Sequence, residues 1–393
     1  MTGIPRSDRY HVAVFGLRNA GKSSLVNCLV GQSVSIVSDV AGTTTDTVWK
    51  SVELPGIGAA VIADTAGFDD EGVLGSMRVE AARKVLASAD LVIILLGGDD
   101  VALEREWYEN ACRLQLPVLL VAGKCDRAEC RERIAMYEAF FGIDIIPFSA
   151  VTGEGRDALL GQMAQCFGKD DNLDDITYTL VKPGDVVVLV MPQDASAPKG
   201  RLIQPQVQTL RNLLDKHCIP LCCAPEELPA LLGSLVAPPQ LIITDSQVFP
   251  MVEKLTPEGT RLTSFSVLMA RHKGDIDAFL KGAEALRTIS PNGRVLIAEA
   301  CSHIPQNEDI GRVKLPRLLR SRLGDGIVIE IVSGNDFPAS LAGYDLVIHC
   351  GACMFNRRTV LSRVRQAKAQ GVPITNYGIA IAALNGILER VCV

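Results

Sequence analysis

The sequence predicts an α/β protein of three domains, a larger N-terminal phosphate-loop domain followed by two smaller α/β domains with parallel sheets. Three observations predict it. The chain has 393 residues, more than one ordinary core accommodates. Its apolar runs are short, rich in Val, Ile and Leu, and alternate with helical patterns, as βαβ units do. Its 48% hydrophobic and 21% charged residues are the balance of a globular chain that buries its sheets. The expected boundaries are 1–168, a linker at 169–176, a middle domain at 177–261 and a last domain at 262–393.

The first strand is "YHVAVFG", and "LRNAGKSSLVNCLVG" follows it directly. Gly16 through Ser23 spells G-x-x-x-x-G-K-S between a strand and a helix, the context in which that pattern binds phosphate. Gly16, Asn19, Ala20 and Gly21 would curl backbone N–H groups round the phosphates, and Lys22, Ser23 and Ser24 open the helix whose dipole faces them. Lys22 would reach the β- and γ-phosphates and Ser23 would ligate Mg²⁺. "VIADTAG" ends a strand at Asp64, the position that holds Mg²⁺ through water, with Gly67 placed to meet the γ-phosphate. "VLLVAGKCD" ends in Lys124 and Asp126, and "IIPFSA" in Ser149 and Ala150. All these motifs fall at the C-terminal ends of strands, where an open α/β sheet binds its ligand. Asp126 offers two acceptor oxygens to the N1–H and N2–H₂ edge of guanine, an edge adenine lacks, so GTP and GDP are the expected ligands.

After the acidic stretch "GKDDNLDD", the middle region reads as strand "DVVVLVMP", helix "PQVQTLRNLLDKHC" and strand "QLIITDS". It has no glycine-rich phosphate loop, and docking or oligomerisation is its expected role. Cys222 and Cys223 are adjacent, so an extended chain turns their side chains apart. From about residue 262 the alternation restarts: "SFSVLMAR" reads as a strand, "DIDAFLKGAEAL" as a helix, and "RVLIAEACSH", "GIVIEIVSG" and "YDLVIHCGAC" as strands. Parallel strands joined by crossover helices place their C-terminal ends on one rim, which would bring Cys301 to Cys350 and Cys353.

Three readings of that rim stay open on chemistry alone. Cys350 and Cys353 could form a redox dithiol, which leaves Cys301 and His303 unused. Cys301, His303, Cys350 and Cys353 could make a Cys₃His zinc site. Three thiolates with one open position also suit an iron–sulfur cluster. His349 should point away from Cys350 until the strand turns, making it a ligand or a neighbour of the ligands.

Composition excludes several classes. No apolar run approaches the roughly 20 residues of a membrane helix, and no signal peptide precedes the first strand, so a cytoplasmic protein without membrane contact is expected. Twelve irregularly spaced cysteines then argue for a reducing compartment, and Cys28, Cys112, Cys166 and Cys392 read as small buried filler. A net charge of −6 with no basic patch predicts no nucleic-acid partner.

"GLRNAGKSSLVN" and "AGTTTD" resemble the phosphate loop and first switch of the TrmE and Era group of Ras-like GTPases. The resemblance implies Thr44, rather than Thr43, as the switch ligand of Mg²⁺, and Asn19 as a K⁺ ligand where loop capping is the plainer alternative. Two departures matter. Gly123 stands where the group has Asn, which predicts weaker nucleotide affinity; and "FDDEG" follows the second switch, with Asp69, Asp70 and Glu71 in place of the usual water-positioning Gln, which predicts slow hydrolysis.

"ACSHIPQNEDIGRVKLPRLLR", "HCGACMFNRR" and "GVPITNYGIAIA" resemble the last domain of the FeFe-hydrogenase maturation GTPases, the HydF family. Their C-x-H…H-C-x-x-C signature falls on Cys301, His303, His349, Cys350 and Cys353. The resemblance spans the whole chain. It implies GTPase, dimerisation and cluster domains, with a 4Fe–4S cluster on Cys301, Cys350 and Cys353. A fourth ligand would come from His303, His349, Glu308, Asp309 or water. It further implies a homodimer or higher oligomer that receives a di-iron precursor from two radical-SAM maturases and delivers it to apo-hydrogenase. The alternative is a zinc-containing RNA- or ribosome-associated GTPase.

Overall fold

The computed structural model describes residues 6–31, 48–65, 82–167, 175–193, 202–300, 309–334 and 336–393. Thr43, Thr44, Gly67, Asp69, Asp70, Glu71, Cys301, His303 and Glu308 lie outside the described residues. The chain divides into two compact units, Met1–Asp171 and Asn172–Val393.

The first unit is built on β1 (Tyr10–Gly16), β2 (Val48–Leu54), β3 (Gly58–Asp64), β4 (Leu91–Leu96), β5 (Val118–Ala122) and β6 (Ile146–Pro147), in the order β2-β3-β1-β4-β5-β6. Only the β2–β3 hairpin is antiparallel. Buried on both faces, β1 is apolar almost throughout, as an internal parallel strand must be. Val12 and Val14 pack with Leu25, Leu29, Leu159 and Met163 from the helices Lys22–Val30 and Arg156–Phe167. Ala13 and Phe15 face Trp107, Tyr137 and Phe141 from the helices Ala102–Arg113 and Ala128–Phe141. Alternation along one strand thus seeds both cores.

The second unit holds two four-stranded parallel sheets. β7 (Val186–Val190), β8 (Ile219–Cys223), β9 (Leu241–Thr244) and β10 (Arg261–Ser264) run in the order β10-β9-β7-β8. β11 (Arg294–Glu299), β12 (Val328–Ser333), β13 (Leu346–His349) and β14 (Ile374–Asn376) run β12-β11-β13-β14. Counted from each first strand, both have the order 2-1-3-4, so the same doubly wound topology occurs twice. The two share an apolar core: Val188, Val190 and Ile242 join Leu296, Ala298 and Val347 in one cluster. The outer face of the second sheet packs Val295, Ile297 and Ile348 on Leu315, Leu319 and Tyr377.

Three expectations do not hold. "SFSVLMAR" is not a strand opening the last domain: β10 pairs with β9 in the middle sheet, and Phe265–Lys273 is a helix whose N-cap, Ser264, accepts the Val267 N–H. The change of sheet therefore falls after Lys273 and not at 262. The linker ends sooner than 176, because Asp175 pairs with Lys216 at 2.8 Å and Ile176 is buried. β8 pairs with β7 and turns Cys222 outward and Cys223 against the core, the divergence expected of adjacent cysteines. Cys112 is exposed, and Cys28, Cys166 and Cys392 are only half-buried.

Residues 391–393 return to the β10 edge. Val391 bridges Leu262, the Cys392 N–H reaches Leu262 O at 2.8 Å, Thr263 Oγ1 donates to Cys392 O and Arg271 to Val393 O. An edge strand that would otherwise offer unpaired N–H and C=O groups is covered.

Candidate functional site

In the first unit, β1 delivers the chain into the phosphate loop at Gly16, where a Cβ would lie 2.7 Å from Leu95 O. Only glycine fits so close a backbone approach. Asn19 and Gly21 both take positive φ, and the helix starts at Lys22. The Lys22 ammonium bonds the Gly16 and Leu17 carbonyls at 2.9 and 2.8 Å, across the mouth of the loop where phosphate would sit. Ala20 is buried under the loop, and Ser23 and Ser24 stand exposed at the helix start. Asp64 closes β3 in register with Val14, and Thr65 beyond it bonds Val14 O.

Beside this loop, β5 and β6 bring Lys124, Asp126 and Ser149 together. Lys124, itself at positive φ, donates to Asn19 O at 2.6 Å and ties the two loops together. Ser149 Oγ accepts the N–H groups of Val151 and Thr152, which leaves its proton for Asp126 Oδ1 at 2.8 Å. That hydroxyl holds the Asp126 carboxyl below the usual carboxylate value, so it stays an acceptor. Ala150 follows it, half-buried. Gly123 has a packing reason: a Cβ there would meet Ala20 O at 3.1 Å and Leu95 Cδ1 at 3.2 Å. Leu95 fills room that a larger residue at 123 would need.

In the second unit, the C-terminal ends of β11 and β13 form the switch point of the second sheet, the position where such sheets bind ligands. β11 ends at Glu299 and not at Cys301, so the sharing of one face by Cys301 and His303 has no strand to rest on among the described residues. Ala298 pairs with His349, and the Cys350 N–H continues the ladder to Ala298 O. This sets Cys350 Sγ 3.0 Å from the N–H of Ala300, the residue before Cys301. The Ala352 N–H points at the same sulfur from 3.4 Å. Burial pushes the Cys350 thiol up to about 11, while the two N–H groups act in the opposite direction.

The loop Cys350–Phe355 is held from the preceding helix. Ala352 sits at φ +53, a left-handed conformation costly for a residue with a Cβ. Lys273, buried at the end of the helix Phe265–Lys273, places its ammonium on Phe355 O at 3.1 Å and Ala352 O at 3.5 Å. Asn376 caps the helix Tyr377–Leu384 and donates to Cys350 O.

His349 lies on the opposite face from Cys350, as alternation requires. Its Nδ1 bonds Cys350 O at 2.8 Å and its Nε2 meets Arg363 Nη1 at 3.1 Å. Guanidinium only donates, so Nε2 accepts and the proton is on Nδ1. Burial, with Arg363 beside it, pushes the ring down to about 3 and keeps it neutral. With both nitrogens engaged, His349 sits beside the thiols in this arrangement. Asp309 is also engaged, capping the turn Ile310–Lys314 through the Arg312 N–H. Sequence reasoning missed Arg363 and Lys273. Arg363 shares the helix face of Val360, Val364 and Ala367, and a cation at a core-facing position was the available signal. Among the described residues no three His, Cys, Asp or Glu side chains gather as a metal site.

Residues 176–274 match the hydrogen maturase F dimerization domain, and residues 277–393 its tetramerization domain. Together they take in more than half of the chain. The chain belongs to the hydrogen maturase F family. Residues 11–124 match the 50S ribosome-binding GTPase family, so the first unit is a GTPase domain in a hydrogenase-maturation protein. The matches change over between 274 and 277, next to the corrected change of sheet. Among solved structures, an Era variant of Aquifex aeolicus bound to GDP and aluminium fluoride is 23% identical, covering 55% of this chain and 92% of its own, with a TM-score of 0.34. The G domain of the T. maritima FeoB iron transporter is 24% identical over 40% of this chain and 99% of its own, with a TM-score of 0.31. The FeoB G-domain of Methanococcus jannaschii is 21% identical over 41% and 99%, with a TM-score of 0.30. No helix among the described residues is long and apolar enough to cross a membrane.

Proposed function

We propose that the chain is a GTP-hydrolysing scaffold of FeFe-hydrogenase maturation. In this reading Cys301, Cys350 and Cys353 hold a 4Fe–4S cluster, and a di-iron precursor from radical-SAM maturases is carried to apo-hydrogenase. The observation that carries the cluster half is the N–H of Ala300 on Cys350 Sγ at 3.0 Å. It ties the backbone beside Cys301 to Cys350 at a ligand-binding rim, and donor N–H groups on sulfur are what a thiolate ligand needs. Bound there, the cluster would supply an iron with an exchangeable position. The chain's own residues do the rest: Lys273 and Asn376 fix the loop, and the apolar cluster of Ile297, Leu315 and Ile348 backs Cys350.

In the GTPase domain, Asp126 and Ser149 read the base, Lys22 leaves the loop carbonyls for the phosphates, and Ser23, Thr44 and Asp64 hold Mg²⁺, with Asn19 toward K⁺. Gly67 would meet the γ-phosphate, and hydrolysis is slow. The dimerization and tetramerization matches support a homo-oligomer.

The test is iron and sulfide analysis with EPR on anaerobically reconstituted full chain. About four of each per chain, lost in Cys350→Ala and Cys301→Ala, is the expected result for a cluster of this type. One zinc per chain and no signal would overturn it. Lys22→Ala should abolish hydrolysis and leave the iron content unchanged.

A further inference from the structure

Arg363 is 6% exposed, in the middle of the helix Arg357–Ala369. Its guanidinium lies between two rings, 4.7 Å from the centroid of Phe337 and 4.5 Å from that of Phe355. Its hydrogen bonds go to His349 Nε2 and to the Gly334 carbonyl. Every one of these partners is neutral, and among the described residues no carboxylate pairs with it. Burying an unpaired cation is costly, and proteins normally supply a counter-charge. Burial drives the guanidinium down to about 10.

In the proposed function the thiols of the cysteine loop gain negative charge. Cluster uptake removes their protons and leaves the cluster with its three thiolates as a net anion. We propose that Arg363 is the built-in counter-charge of that site. It bonds His349 Nε2, and His349 Nδ1 bonds Cys350 O, so its positive charge reaches the site through those bonds as well as through space. The metal-free chain holds the cation among neutral partners only; the loaded chain completes the pair. Arg363 is therefore a positioning residue, acting on the site through charge and touching neither iron nor substrate.

This inference rests on the cluster reading, and one set of proteins separates the two. Wild type, Arg363→Lys and Arg363→Met are reconstituted anaerobically, analysed for iron and sulfide, and titrated with a reductant under EPR. Removing a positive charge disfavours the added electron, so the midpoint potential should fall in Arg363→Met and stay near wild type in Arg363→Lys. Failure of Arg363→Met to load while Arg363→Lys loads would equally support the assignment. Equal potentials in all three proteins, or equal loss in both variants, would overturn it and leave the cluster reading standing. A wild-type chain that takes up no iron sinks both.

Discussion

Asp275 stands at the junction of the two C-terminal sheets, and its replacement by Ala should cost the second unit about 1.5 kcal/mol. The residue does two things. Its carboxylate caps the helix Ile276–Glu284 by accepting the Ala278 N–H at 3.0 Å, and it pairs with Lys368 at 2.6 Å. Loss of an N-cap costs about 1 kcal/mol. The pair is part-exposed, with Lys368 more than half in solvent, and contributes about 0.5 kcal/mol. The unit Asn172–Val393 has about 220 residues, and at ~2.1 cal/mol/K per residue its unfolding entropy turns 1.5 kcal/mol into ~3 °C. Calorimetry of the full chain measures this in the transition that added nucleotide does not move. Asp275→Asn keeps an acceptor and should lose only ~1 °C, a loss that 0.5 M salt removes. Burial pushes the Asp275 carboxyl up, but its bonds to Lys368 and the Ala278 N–H outweigh that and hold it below the usual carboxylate value. A depressed folded value means its contribution is complete above the unfolded pKa of about 3.9 and fades as pH falls through the folded one. The gap between wild type and Asp275→Ala should thus be flat from pH 7 to 5 and narrow below 4. Asn and Ala variants melting together would refute the division between cap and charge, and a gap that widens in acid would refute the sign.

Other outcomes follow from the same geometry. Asp126→Asn should weaken GDP binding and reverse the preference toward xanthosine diphosphate, whose C2 carbonyl accepts from the new amide; competition between the two nucleotides measures it. Gly282→Ala should destabilise the second unit by about 3 kcal/mol, because its Cβ would fall 1.9 Å from Ile374 O where the helix lies on β14. A melting temperature within a degree of wild type would contradict that contact. With Cys350 near 11, its alkylation by iodoacetamide in the metal-free chain should climb ~tenfold per pH unit from 7 to 10, since only the thiolate reacts. Lys273→Met should speed that reaction at every pH by loosening the loop.

Much of the fold was legible because period and punctuation agreed. "YHVAVFG", "DVVVLVMP" and "GIVIEIVSG" are short β-branched runs between turn residues, and each is a strand. "SFSVLMAR" misled because its first four residues alternate polar and apolar. The deciding interaction is local and invisible to periodicity: the Ser264 hydroxyl caps a helix that begins one residue later. β8 escaped notice because Ile219–Cys223 contains Pro220 and follows its helix after only three residues. At the sites, the motif residues announced themselves through spacing, whereas Arg363 and Lys273 are cations among many and gain meaning only from what the fold puts beside them. The gathering of Cys350 with the chain before Cys301 needed the 2-1-3-4 strand order, which makes β11 and β13 neighbours although β12 intervenes in sequence.

The cover that residues 391–393 place on β10 has a consequence for synthesis. About 130 residues separate that strand from its cover, so on a ribosome adding 5–20 residues per second the β10 edge is bare for about 6 to 26 seconds. During that interval the middle sheet is nearly complete yet still offers an open edge to any nascent neighbour on the same message. Copies translated side by side are most exposed to mispairing at this stage, and a holding chaperone on the emerging chain would act best there.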